Sequence, residues 1–187
     1  LFNILVNVGA GSGTGGTVAP AIEIAPVTTL SSIILNSQDE LSQGFDLTVK
    51  VNGRFDGLFS IVQAVPEPFI SQEGKELPLD CIAVAARDVE KGMGISPTPM
   101  ESRQQQTLYT SLPSGDAPQA FTLNYALKNP GGITAGKYKG RIQYYLEREG
   151  KTTLIKTLDA EVEVERIFEM KITPADNQTS LQFRNLK

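Results

Sequence analysis

The sequence has no histidine, no tryptophan and a single cysteine. Without histidine the chain lacks the commonest general base, the Ser-His and Cys-His nucleophile pairs and most zinc sites. With Cys81 alone, no disulfide can close within the chain. Cys81 opens the apolar run 81–86, where a free thiol behaves as a small buried hydrophobe; Arg87 is the only nearby cation that could activate it. No apolar run reaches the roughly 20 residues that a membrane-spanning helix needs. A net charge of −4 argues against nucleic acid, whose phosphates require a basic surface.

What remains is an ordinary folding composition. Hydrophobic residues make up 40% and charged residues 20% of 187, enough for one large domain, or one domain and a fragment of another. The most informative stretch is 133–147, ITAGKYKGRIQYYLE. From Tyr138 onward Tyr138, Gly140, Ile142, Tyr144 and Leu146 share one side, and Lys139, Arg141, Gln143, Tyr145 and Glu147 the other. A period of two marks a half-buried strand. The same rhythm recurs at Phe45, Leu47, Val49 and Val51, and at Phe121, Leu123, Tyr125 and Leu127. It returns over 152–165, where Leu154, Leu158, Ala160, Val162 and Val164 alternate with polar residues and Lys156 is the one misfit. If that strand pairs with 137–141, an acidic row (Asp159, Glu161, Glu163) meets a basic one (Lys137, Lys139, Arg141).

Shorter strands are expected at 21–26, 30–35, 58–65 and 104–110, with 79–87 read as a strand in preference to a helix because it is short. Asn52-Gly53 and Asp56-Gly57 are strong hairpin signals, and Glu73-Gly74-Lys75 reads as a hairpin tip. Eight to ten short strands without a convincing amphipathic helix predict an all-β fold: an immunoglobulin-like antiparallel sandwich with Greek-key connections. The alternation argues against a parallel sheet, whose strands read as continuous apolar runs.

The expected organisation is a β-prone segment with a glycine-rich linker at 1–19, the sandwich at 20–166, and 167–187 as the start of a second repeat or a closing or donated strand. Residues 1–8, LFNILVNV, have neither an initiator Met nor a basic stretch and read as the start of a mature or trimmed chain. Tethered by GAGSGTGGT at 9–17, they pair either with their own domain or with another subunit. At the other end, Lys171-Ile172-Thr173-Pro174 repeats Glu23-Ile24-Ala25-Pro26 at a shift of 172 − 24 = 148, and Ser180, Leu181 and Phe183 follow Ser32, Ile33 and Leu35.

The segment 133–146 resembles the penultimate-strand region of bacterial pilin and spore-coat-U-type domains: a hydrophobic residue, Ala135-Gly136, an aromatic residue at Tyr138, then an alternating strand. The resemblance implies an exported, surface-assembled or periplasmic structural protein whose signal peptide has been removed. The chain departs from that pattern in having no N-terminal disulfide, and in ending in LQFRNLK without the chaperone-recognised aromatic motif.

No motif carries chemistry. GSGTGG at 11–16 lacks the Lys-Ser/Thr of a phosphate loop, and no calcium-loop pattern occurs. The carboxylates Asp39/Glu40, Glu73/Glu76, Glu147/Glu149 and Glu161/Glu163/Glu165 read as surface charge. Asn177-Gln178-Thr179 matches a glycosylation sequon, and Tyr145 points outward on its strand. The expectation is a non-enzymatic structural or adhesion module of a bacterial surface fibre, coat or pilus-like assembly, in the periplasm or at the cell surface. It would associate with itself or a neighbouring subunit through edge-strand pairing, with no catalytic residues, metal or cofactor. The alternative is a carbohydrate- or protein-binding accessory domain that uses the loops of 95–118.

Overall fold

A computed structural model describes residues 20–27, 45–102, 104–128 and 133–164. The predicted period-two stretches are strands in it: β2 (Phe45–Asn52), β9 (Ala120–Leu127), β10 (Gly136–Arg148) and β11 (Lys151–Val164). With them come β1 (Ala21–Pro26), β3 (Phe59–Ala64), β4 (Ile70–Ser71), β5 (Ile82–Arg87), β6 (Met93–Gly94), β7 (Thr98–Pro99) and β8 (Gln105–Thr110). The run 79–87 is not one strand. Leu79–Cys81 forms a single 3-10 turn after Pro78, and β5 starts only at Ile82.

Two antiparallel sheets form. One has the order β1-β2-β9-β5-β7; the other has the order β11-β10-β3-β8-β6, with β4 also paired to β10. Their inner faces bury Leu47, Val49, Leu123 and Tyr125 from the first sheet against Ile61, Leu108, Ile142 and Tyr144 from the second. Successive strands repeatedly change sheet, from β2 to β3, from β8 to β9 and from β9 to β10. This is the Greek-key connectivity of an immunoglobulin-like sandwich. It also corrects one expectation. Gly53 and Gly57 do take the left-handed conformations their turn signals promise, with φ of 79° and 80°. Yet the turn is an arch between sheets, not a hairpin. Tight hairpins do occur at Glu149-Gly150, between β10 and β11, and at Glu73-Gly74-Lys75, where the Ser71 N–H donates to the Lys75 carbonyl.

The stretch 133–147 owes its pattern to packing. Tyr138 opens β10 after the crossing from β9, and its hydroxyl donates to the Thr134 carbonyl 2.6 Å away. That is the tyrosine corner of immunoglobulin-like folds, which ties down the corner before the strand. Two residues on, Gly140 faces the core. A Cβ there would fall on the Phe69 ring, so only glycine leaves room for this aromatic to seal the sheet.

The sandwich has two poles. The 53–58 arch, the 149–150 turn and the start of β1 at Ala21 lie at the arch pole, because Ala21 pairs with Asn52 and Phe59 pairs with Arg148. Phe45, Gly136 and Val164 lie at the opposite, exit pole, where Gly136 pairs with Val164.

Candidate functional site

The residues that could meet a partner lie along one side of the sandwich, where β1 ends the first sheet and β11 ends the second. Among the described residues β11 pairs only with β10, which leaves the outer edge of a 14-residue strand without a ladder. An unpaired edge is a template for another strand.

The misfit at Lys156 has its explanation here. The β10–β11 register pairs Tyr144 with Lys156 and then Tyr145 with Leu154, so Ile155 is an extra, bulged residue. The bulge turns Ile155 inward, where it is buried, and turns Leu154 out to 45% exposure. Leu154 therefore leaves the inner face that the alternation assigned to it. Lys156 does point towards the seam. Its ammonium donates to the Ile24 carbonyl of β1 at 2.6 Å and ties the two edges together.

Beside this tie the sheets part. A cavity of about 200 Å³ opens between them, walled by Pro26, Phe45, Leu47, Ile142, Tyr144 and Leu158. Leu47 and Tyr144 form a fully buried floor, while Phe45 and Leu158 stay half-exposed at the mouth. The lining is mostly apolar, with Thr157 and Asp159 adding polar groups to it.

The outer face of β10 and β11 carries the expected charge rows. Lys137 stands opposite Glu163, Lys139 opposite Glu161 and Arg141 opposite Asp159. Lys137 Nζ lies 3.4 Å from Glu163 and 3.7 Å from Glu161, and Lys139 Nζ 3.5 Å from Glu161. Arg141 instead reaches Glu67 at 3.1 Å. These pairs are mostly exposed, so each contributes little beyond fixing strand register.

Behind the cleft runs a polar chain that the sequence did not reveal. Tyr125 donates to Gln63 Oε1 at 2.7 Å and meets Tyr144 through its hydroxyl at 2.9 Å. Gln63 Nε2 donates to Gln106 Oε1 at 2.7 Å, and Gln106 Nε2 to the Pro99 carbonyl at 2.9 Å. With Tyr144 donating to Tyr125, every member is satisfied and the chain stitches sheet to sheet. Burial drives the hydroxyls of both tyrosines well above the usual phenol range. They stay protonated donors. A glutamine at an inward strand position gives no sequence signal of its own; only the opposing tyrosine reveals its role.

The other residues singled out in the sequence are dispersed. Cys81 is free and buried, and burial pushes its thiol up to about 11, with Asp80 adding to the effect. This is the opposite of activation. Tyr145 is half-buried on the outer face, and its hydroxyl donates to Gln143. The proposed binding loop 95–118 is not a single loop. It contains β7 and β8 and buries Met100, Leu108 and Tyr109, and its end at Ala117 borders a surface depression. Among the described residues no three Cys, Asp or Glu side chains converge on a point that could hold a metal, and no helix is long and apolar enough to cross a membrane. Residues 1–17, 30–35, 167–187, Asp39, Glu40 and Glu165 lie outside the described residues.

No protein-family model matches the sequence, and no curated protein matches it. Solved structures show a distant similarity. The CooA pilin subunit from enterotoxigenic Escherichia coli is 13% identical, covering 76% of this chain and 99% of its own, at a TM-score of 0.43. Self-complemented MyfA, the major subunit of Myf fimbriae from Yersinia enterocolitica, is 12% identical, covering 78% and 98% at a TM-score of 0.43. A family 123 glycoside hydrolase from Clostridium perfringens is 11% identical, covering 78% of this chain but 27% of its own, at a TM-score of 0.45. A likeness this distant, shared by fimbrial subunits and part of a hydrolase, concerns the fold alone.

Proposed function

We propose that this chain is a non-enzymatic, exported structural or adhesion module that assembles through edge-strand pairing. One observation carries the reading: the long β11 edge, paired on one side among the described residues, runs beside an apolar cleft of about 200 Å³. A strand laid on that edge would gain main-chain hydrogen bonds and drop alternate side chains into the cleft. Residues 1–8 suit the part. Phe2, Ile4, Val6 and Val8 fall on one face, and Leu1, Asn3, Leu5 and Asn7 on the other. Residues 9–20 span up to about 40 Å when extended, which lets the segment leave its own sandwich for a neighbour's.

Deleting residues 1–8 tests this. The truncated protein is expected to melt cooperatively but to lose concentration-dependent association in sedimentation experiments. Unchanged assembly of the truncated chain sinks the reading.

A second reading has its own observation. At the arch pole Lys50, Asn52, Gly53 and Gln119 line a polar depression of about 550 Å³, open enough for a saccharide. Reproducible thermal stabilisation by a sugar, lost in Asn52→Ala, would favour a carbohydrate-binding module instead.

A further inference from the structure

The repeat of β1 at the C-terminal end acquires a meaning once the course of the chain is known. At a shift of 148, Met170-Lys171-Ile172-Thr173-Pro174 overlie Ile22-Glu23-Ile24-Ala25-Pro26. In the first copy Ile22 and Ile24 are buried, at 5% and 1% exposure, Glu23 and Ala25 are half-exposed, and Pro26 ends the strand. Residues 170–174 supply the same requirements in the same order: apolar, polar, apolar, small polar, strand-ending proline.

The β1 position of this sandwich is already filled, since all six residues of β1 pair with β2. The chain also traverses the sandwich from end to end. Lys156 lies against Ile24, and Thr157–Ala160 flank the same cleft as Pro26, so β1 and β11 run in one direction. The chain therefore enters at the arch pole through Ala21 and leaves at the exit pole through Val164. The counterpart of Ala21 is Glu169, with only four residues, 165–168, between it and Val164.

We propose that residues 169–187 open a second module of this same fold, joined head to tail through residues 165–168. The partner at the exit pole is then a covalent copy of the sandwich, and the protein is a string of modules about 148 residues apart. From Val164 to Glu169 the chain spans at most about 18 Å, which holds successive modules close together. This inference does not depend on pairing at the β11 edge, and its tests read folding, not self-association.

Two experiments decide it. In the full chain Ile172→Asp is expected to leave the melting temperature unchanged within about 2 °C, whereas Ile24→Asp abolishes cooperative melting. A drop of about 5 °C or more from Ile172→Asp would place that residue in the first sandwich and overturn the proposal. In an extended chain, residues 27–164 are appended after Pro174, so that residues 170–174 must serve as the first strand of the second sandwich. Two folded units are expected, with a maximum dimension in solution scattering about twice that of the parent. In this extended chain Ile172→Asp should now unfold one of the two units. An appended segment that stays unfolded, or that folds equally well with Ile172→Asp, also overturns it.

Discussion

The centre of the sandwich and its β1/β11 side are held together in different ways. At the centre the two sheets share a continuous polar chain from Tyr144 through Tyr125, Gln63 and Gln106 to the Pro99 carbonyl. Towards the arch pole the aromatic rings continue the contact: Phe55 and Phe59 lie 4.4 Å apart, and Tyr109 and Phe121 4.7 Å. At the side, one lysine reaches one carbonyl, and beside it the sheets part around an apolar cleft. The centre specifies how the sheets align. The side leaves the β11 edge without a ladder among the described residues, beside a cavity.

Three substitutions bear on this packing, and the largest effect is expected where Gly140 meets Phe69. Gly140→Val drives a branched side chain into the Phe69 ring in a packed interior. It is expected to cost about 3 kcal/mol or more in denaturant unfolding, at the upper end of overpacking effects. A loss below about 1 kcal/mol would show that Phe69 can move aside. Next comes Gln63→Leu, which keeps the volume but strands Gln106 Oε1 and removes the acceptor of Tyr125. An expected loss of about 1–3 kcal/mol should be partly recovered by adding Gln106→Leu, since an unpaired buried polar group is worse than none. Strict additivity of the two changes would dissolve the network. The smallest effect belongs to the side. Lys156→Met retains the stem and removes the donor to Ile24, for an expected loss of about 0.5–1.5 kcal/mol. Amide exchange should quicken in β1 and β11 and stay slow in β9. Equal acceleration of all three strands would mean that side and centre open as one unit.

The four long strands were legible because burial on one face imposes alternation that survives any change of neighbours. Phe45 to Val51, Phe121 to Leu127 and Tyr138 to Leu146 point where their rhythm says. The charge rows were legible for the same reason, once β10 and β11 were joined by a short turn. Leu154 defeated the rule because a bulge inserts one residue and shifts the phase, whereas Lys156 keeps its inner face and satisfies its ammonium on the Ile24 carbonyl. The turn at 53–58 was located but its consequence was not. Gly53 and Gly57 permit left-handed backbone in a hairpin and in an arch alike.

The sequence by itself therefore determined the existence and facing of the long strands, which are properties of neighbouring residues. Only the tertiary structure decided which sheet each strand joins, why Gly140 must be glycine and how Gln63 and Gln106 are satisfied. It alone also placed the side of the sandwich that carries the cleft. Those depend on contacts between residues far apart in the chain, such as Gly140 with Phe69 and Lys156 with Ile24. No local pattern encodes them, because a period of two records that a face is buried and not what buries it.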